Sequence, residues 1–139
     1  NHIIKSDFKN PALVECGVSL SYPNSKNQEW TKKLEDDKMY TVFISLDDIS
    51  KEEGVTQVQP KTHIKNNDSK TLVNLKCERG DMYILNSKVL QRDIRNNSNL
   101  IRPTFYFSIK DDNNKKLGNK ILTLKSEYKG KILLKKIKS

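Results

Sequence analysis

Gln91 and Asp93 interrupt an otherwise apolar run, "KVLQRDI", and Arg102 opens a later one, "RPTFYFSIK". Residues two apart on a strand share a face, so Gln91 and Asp93 are expected to point the same way. Two further features have the look of chemistry. Asp47 and Asp48 resemble a paired-carboxylate site, but they stand at a strand-to-turn boundary, where Asp serves local hydrogen bonding, and a structural role is expected. His63 follows "PKT" at a turn and reads as a loop or capping histidine. Trp30 and Tyr40 read as packing residues. His2 and His63 are the only histidines, and Cys16 and Cys77 the only cysteines. Neither cysteine has a metal-type partner nearby, so two buried free thiols are expected, with one disulfide as the alternative.

These residues lie on a series of short strand-like segments separated by polar turns. The segments are "ALVECGVSLSYP" (12–23), "QEWTK" (28–32), "MYTVFISL" (39–46), "VTQVQP" (55–60), "TLVNLK" (71–76), "DMYILN" (81–86), "KVLQRDI" (88–94) and "RPTFYFSIK" (102–110). Their β-branched and aromatic content and the near absence of helical periodicity predict an all-β body. Eight short strands in this length suggest a sandwich or a barrel, and a jelly roll is one eight-stranded solution.

The chain has 139 residues, the size of one domain with one core. Charged residues make up 31% of it, yet apolar stretches recur, which fits a folded domain rather than disorder. It begins at Asn1 rather than Met and has no signal-like start, as expected of a piece of a longer product. No apolar run approaches the roughly 20 residues a membrane span needs. A soluble protein, cytoplasmic by default, is expected.

The net charge of +9 is uneven: residues 115–139 hold nine Lys against one acid, Glu127, and residues 1–114 hold 17 basic and 16 acidic residues. The near-neutral body argues against a general nucleic-acid-binding surface. Domain organisation is read as a core over 1–114 and a Lys-rich C-terminal extension over 115–139. In that extension Leu117, Ile121, Leu124 and Tyr128 have helical spacing, while "KILTLK" and "GKILLKKI" around "SEY" could form a hairpin. Two short strands added to the sheet are favoured. Its lysines read as a solvated face, with an acidic partner, an anionic membrane or nucleic acid as the alternative ligand of 115–138.

Two stretches carry a resemblance. "YTVFISLDDISKEEGVTQVQPKTH" is similar to the central segment of phytanoyl-CoA dioxygenase-like proteins, in which a strand ending in a Leu-acidic pair leads through "NG" to "PGSH" or "PGTH". "GDMYILNSKVLQRDIRNNSNLIR" resembles that family's second signature, with an iron-binding His eleven residues after a Gly-Asp glycine, then an Asn, then an Arg. The same spacing puts Gln91 at the His position, Asn96 at the Asn position and Arg102 at the Arg position, without a gap. Upstream, "YPNSKNQEWTKK" is similar to the segment with the His-x-Asp motif and puts Thr31 at the His position and Lys33 at the Asp position. The resemblance covers roughly residues 11–110. It implies an all-β, double-stranded β-helix (jelly-roll, cupin-like) core with a basic C-terminal extension. The family's N-terminal helical region has no counterpart.

The family's chemistry needs iron(II) held by two His and one carboxylate, with open positions for oxygen and 2-oxoglutarate. Its Arg takes the far carboxylate of 2-oxoglutarate through a planar guanidinium. All three metal positions depart from that pattern. Thr31 offers a hydroxyl, Gln91 a neutral amide oxygen, and Lys33 a cation, which at about 4 Å would repel a dication by roughly 8 kcal/mol at an effective dielectric of 20. The resemblance gives neither His2 nor His63 a ligand role. Where the family commonly has Ser beside the co-substrate, this chain has Asp93, which would repel 2-oxoglutarate and is expected to pair with Arg102 instead. Arg102, Thr104, Tyr106 and Ser108 would share an inward polar face, and Pro103, Phe105, Phe107 and Ile109 an outer apolar one.

The function expected is that of a catalytically degenerate member of this superfamily acting as a binding or interaction module, with no cofactor and no metal. A small molecule in the remnant pocket near Arg102, Asp93 and Asn96 is the ligand it suggests. An active iron(II)/2-oxoglutarate-dependent dioxygenase with non-standard ligands is the second reading. A basic-tailed module docking on an acidic partner, membrane or nucleic acid is the third.

Overall fold

The computed structural model describes residues 8–9, 11–33, 39–50, 54–64 and 70–111. Among them are seven strands and no helix: β1 (Pro11–Ser21), β2 (Met39–Ser45), β3 (Thr56–Gln59), β4 (Val73–Leu75), β5 (Met82–Asn86), β6 (Leu90–Asp93) and β7 (Arg102–Asp111). They form a four-stranded sheet in the order β1-β7-β2-β5 and a three-stranded sheet in the order β4-β3-β6. Every strand pairing is antiparallel. Each element falls inside or within a residue of a segment singled out by β-branched and aromatic content. The exception is 28–32, which contributes a single bridge, Thr31 opposite Gln91, on the free side of β6. It lies on an edge and has β6 alone to pair with, so three backbone bonds suffice to hold it: Gln28 to the Asp93 carbonyl and a reciprocal pair between Thr31 and Gln91. The extension 115–139, with its expected strands, lies outside the described residues.

β7 is the centre of the larger sheet. It pairs with β1 over its whole length and with β2 from Thr104 to Lys110. Its inward residues Arg102, Thr104 and Ser108 are buried, and Tyr106 between them is half-buried. The outward Phe105 and Phe107 are half-buried, so the alternation read from the sequence holds along most of the strand.

One irregularity decides which β1 residues face inward. The pairing passes from Leu13 opposite Ile109 to Glu15 opposite Ser108, leaving Val14 as an extra residue in a bulge. A bulge of this kind re-aims the side chains that follow it. Beyond it Glu15, Gly17, Ser19 and Ser21 stand opposite the inward residues of β7. The cross-strand row Gly17–Tyr106–Phe43–Tyr83 then runs over all four strands. Gly17 leaves room there: a Cβ would stand 3.0 Å from the Tyr106 hydroxyl, which would have to shift by a few tenths of an ångström. Phe43 stacks on Tyr83 with ring centroids 5.0 Å apart and lies 6.2 Å from Tyr106. This aromatic row separates two polar centres between the sheets.

Cys16 and Cys77 are not joined in a disulfide, and both are half-buried where full burial was expected. Burial is the main cause holding the Cys77 thiol above its usual pKa.

Candidate functional site

On one side of the aromatic row a cleft of about 60 Å³ opens between the sheets. Ser19, Phe43, Tyr83, Arg102 and Thr104 line it from the larger sheet, and Thr56, Gln91 and Asp93 from the smaller one, with Gln28 and Thr31 at the edge. Arg102 enters from the first residue of β7 and is almost wholly buried. Its Nη2 lies 3.3 Å from Asp93 Oδ2, so the expected ion pair is present. The second Asp93 oxygen accepts a hydrogen bond from the Thr56 hydroxyl at 2.7 Å, and Thr56 in turn accepts one from the Tyr83 hydroxyl at 3.1 Å. The chain Tyr83–Thr56–Asp93–Arg102 thus ties both sheets together through polar groups. The Tyr83 phenol is pushed up to about 12, chiefly by burial. Arg102 Nε is buried with no partner.

On the other side of the row sits Lys33. Its ammonium is 2.6 Å from Glu15 Oε2 and donates to Ser108 Oγ at 3.1 Å. Ser108 donates to the same Glu15 oxygen at 2.8 Å and lies 2.9 Å from Thr41 Oγ1. The Nζ also sits over the Tyr106 ring at 4.7 Å and 5.8 Å from the centroid of Phe43, a cation–π arrangement that adds to its stabilisation. Burial is the largest influence on Lys33 and lowers its pKa, against the opposing pull of Glu15. The geometry shows a tight ion pair, and the net direction means that desolvation outweighs what the pair returns.

The spacing of Thr31 and Lys33 predicts that both face one pocket, and the structure separates them. Thr31 is exposed at the cleft edge, while the Lys33 side chain passes to the far side of Phe43 to reach Glu15. A long cationic side chain next to a half-buried carboxylate follows its counter-charge rather than the face its backbone would assign. Thr31 and Gln91 are directly paired, and both line the cleft.

Asn96, expected beside a small-molecule site, does not line the cleft. It is fully buried and consumed by the loop before β7: its Nδ2 donates to the Ser21 and Leu100 carbonyls at 3.0 and 2.7 Å, and its Oδ1 accepts from Ser98 N and Oγ. That loop delivers Arg102 to its place. Asp47 and Asp48 bind the turn before β5: Arg79 Nη2 pairs with Asp47 at 3.0 Å, and Arg79 N donates to Asp48 at 2.8 Å. The Arg79 hydrogen bond lowers the Asp47 pKa. His63 is exposed in the turn after β3. Trp30 packs under the Arg92 guanidinium at 4.6 Å, and Tyr40 meets Phe8 edge-on at 5.6 Å. Among the described residues no group of three His, Cys, Asp or Glu is placed to hold a metal ion, and no helix is long and apolar enough to cross a membrane.

Thr56, Tyr83 and Glu15 belong to these two centres and were not singled out by sequence, and Ser108 was read only as one of the inward polar residues of the last strand. Glu15 left a signal, a lone acid inside the apolar strand "ALVECGVSL". Thr56 and Tyr83 left none beyond the parity of their positions.

No family model matches the sequence, and no curated protein does. Solved structures do match in fold. A non-heme monooxygenase, ThoJ in complex with nickel, superimposes with a TM-score of 0.66 at 12% identity over 74% of this chain and 45% of that one. The non-heme alpha-ketoglutarate-dependent epimerase SnoN from nogalamycin biosynthesis gives 0.67 at 14% identity over 74% and 48%. EctD from S. alaskensis with bound iron gives 0.65 at 10% identity over 76% and 46%. The chain spans about half the length of these structures or less. At such identities the likeness is one of fold. The chain has the β-sandwich fold seen in non-heme iron and 2-oxoglutarate-dependent oxygenases.

Proposed function

We propose that this chain is a double-stranded β-helix domain of the 2-oxoglutarate oxygenase superfamily, of phytanoyl-CoA dioxygenase-like ancestry, that has given up iron-dependent oxidation and serves as a binding or interaction module. The path of the chain supports the jelly-roll reading. It visits the larger sheet with β1, the smaller with 28–31, the larger with β2, the smaller with β3 and β4, and then alternates through β5, β6 and β7.

The observation that carries the functional reading is the ion pair of Lys33 with Glu15. The position that resembles the family's metal-binding carboxylate holds a cation, already neutralised within the protein. An iron(II) ion does not fit these positions, because the Thr31 hydroxyl and the Gln91 amide are neutral, weak donors and Lys33, drawn off to Glu15, brings no carboxylate to them. The pairing of Arg102 with Asp93 supports the same reading for the co-substrate, since the guanidinium that would take a 2-oxoglutarate carboxylate is shared with an internal one.

The test is a titration of the full chain with iron(II), with and without 2-oxoglutarate, followed by calorimetry and by metal analysis after gel filtration. The expected outcome is no stoichiometric iron and no consumption of 2-oxoglutarate. One equivalent of retained iron would overturn the reading.

A further inference from the structure

We propose that the cleft between the sheets is a binding site for a neutral, polyhydroxylated small molecule, a ligand class set by the Asp93–Arg102 pair. The inference rests on the binding-module reading above and gives it a substrate class. Three features point there.

First, the charge a ligand meets is not the guanidinium. The Arg102 side chain is 4% exposed and that of Asp93 26%, so the carboxylate stands at the open side with the cation behind it. An incoming anion meets like charge first, and the pair as a whole is neutral. The other cation on the lining, Arg92, is already held by Gln57 and over Trp30, so charge selects against dicarboxylates and gives no general preference for cations.

Second, the uncommitted hydrogen-bonding groups around the cleft come as donors and acceptors side by side. The side-chain amides of Gln28 and Gln91 and the hydroxyl of Thr104 have no hydrogen-bond partner among the described residues. Each amide offers both a donor and an acceptor, and so does the hydroxyl. Asp93, at the open side, accepts as well. A hydroxyl group is the ligand function that donates and accepts at one atom, and vicinal hydroxyls repeat that pattern along a carbon chain. A carboxylate cannot donate and an ammonium cannot accept, so either would leave part of the half-buried Gln91 amide or the buried Thr104 hydroxyl unpaired, which is costly there, while the exposed Gln28 can turn to water.

Third, one wall is the ring of Phe43, held in place by its stack on Tyr83. With one face taken by that stack, the ring gives the cleft an apolar patch for van der Waals contact with the C–H groups of a polyol. The open room of about 60 Å³ corresponds to roughly four water-sized volumes. That suits a small polyol or one edge of a sugar ring, and displaced water supplies part of the driving force.

The test is an NMR titration of the isotope-labelled full chain in metal-free buffer, with glycerol, myo-inositol, D-glucose and 2-oxoglutarate as separate probes. At least one polyol is expected to shift the Gln28 and Gln91 side-chain amides and the Thr104 backbone amide saturably in the millimolar range, with 2-oxoglutarate weaker. Asp93→Ser should reverse the preference, weakening the polyol by about tenfold and gaining 2-oxoglutarate. Gln91→Ala, which leaves the ion pair and the backbone pairing with Thr31 in place, should weaken the polyol by a similar factor without that gain. The inference is overturned if no polyol saturates these resonances, if 2-oxoglutarate binds the unaltered chain more tightly than every polyol, or if Gln91→Ala leaves polyol binding unchanged. Iron uptake in the separate metal titration would overturn the preceding reading while leaving these polyol shifts to be read on their own.

Discussion

Lys33 reaches its counter-charge across the interior, and the two residues are stabilising only together. Their side chains are 17% and 13% exposed, so water screens them little. Replacing Lys33 with Met strands Glu15 as a lone, mostly buried anion, and urea unfolding is expected to show a loss of about 2–4 kcal/mol. The double variant Lys33→Met with Glu15→Gln should recover more than half of that, because no unpaired charge is left behind. A double variant no more stable than the single one would mean that the packing of the lysine stem, rather than the charge, is what matters there. Tyr83 supplies a pH-dependent counterpart. Its folded pKa is raised to about 12 from 10.0, so the folded state keeps a proton that the unfolded chain releases near 10. Its contribution is fully present below pH 10 and lost as the pH rises through about 12, on the order of 3 kcal/mol in all. Lys33 slopes the other way: its pKa is lowered, so its contribution is present above 10.5 and lost as the pH falls through the lower folded value. Urea midpoints measured through the alkaline range should show the Tyr83→Phe variant losing less stability than the parent chain.

At the scale of elements, two glycines with positive φ make a controlled comparison. Gly54 leads into β3 at φ 77, and a Cβ there would stand 2.4 Å from the Ile94 carbonyl oxygen, the residue that closes β6 by donating to Val55. Gly80 precedes β5 at φ 91 with nothing within 4 Å. Gly80→Ala is expected to cost about 1 kcal/mol for backbone conformation alone, and Gly54→Ala about 3 kcal/mol or more, because backbone must move as well. Chemical denaturation of the two variants reads this directly, and equal losses would show that the contact with Ile94 relaxes freely. Such turns also explain what could be read from the sequence. Gly80 in "RGD" announces a turn, and runs such as "MYTVFISL" announce strands, because local chemistry suffices for both. The spacing from Gly80 to Arg102 was legible for the same reason, and with it the facing of Gln91, Asp93 and Arg102. The bulge at Val14 was not, since no glycine marks it and it exists only against β7. The destination of Lys33 was hidden for the same cause: its partner Glu15 sits on a strand whose inward parity that bulge sets. Asn96 was read as part of a ligand site because its spacing is that of the family's signature, whereas its amide is spent holding the loop.

At the scale of the whole molecule, β7 lies between β1 and β2, and these two strands touch each other only through it. Its register pairs Pro11 with Asp111, so the two ends of the described core meet in one ladder. A chain ending at Ile101 is therefore expected to lack a cooperative unfolding transition, even though it keeps most of the strands. Circular dichroism of that truncation through a urea series is the check, and a sigmoidal transition near that of the full chain would contradict it. The same placement has a consequence for how the protein is born. The centre of the larger sheet is the last of these strands to leave the ribosome, so β1 and β2 wait with open edges until it arrives. Synthesis, rather than any step after it, sets the earliest moment at which this core can close, and for that interval the nascent chain depends on being kept apart from its neighbours.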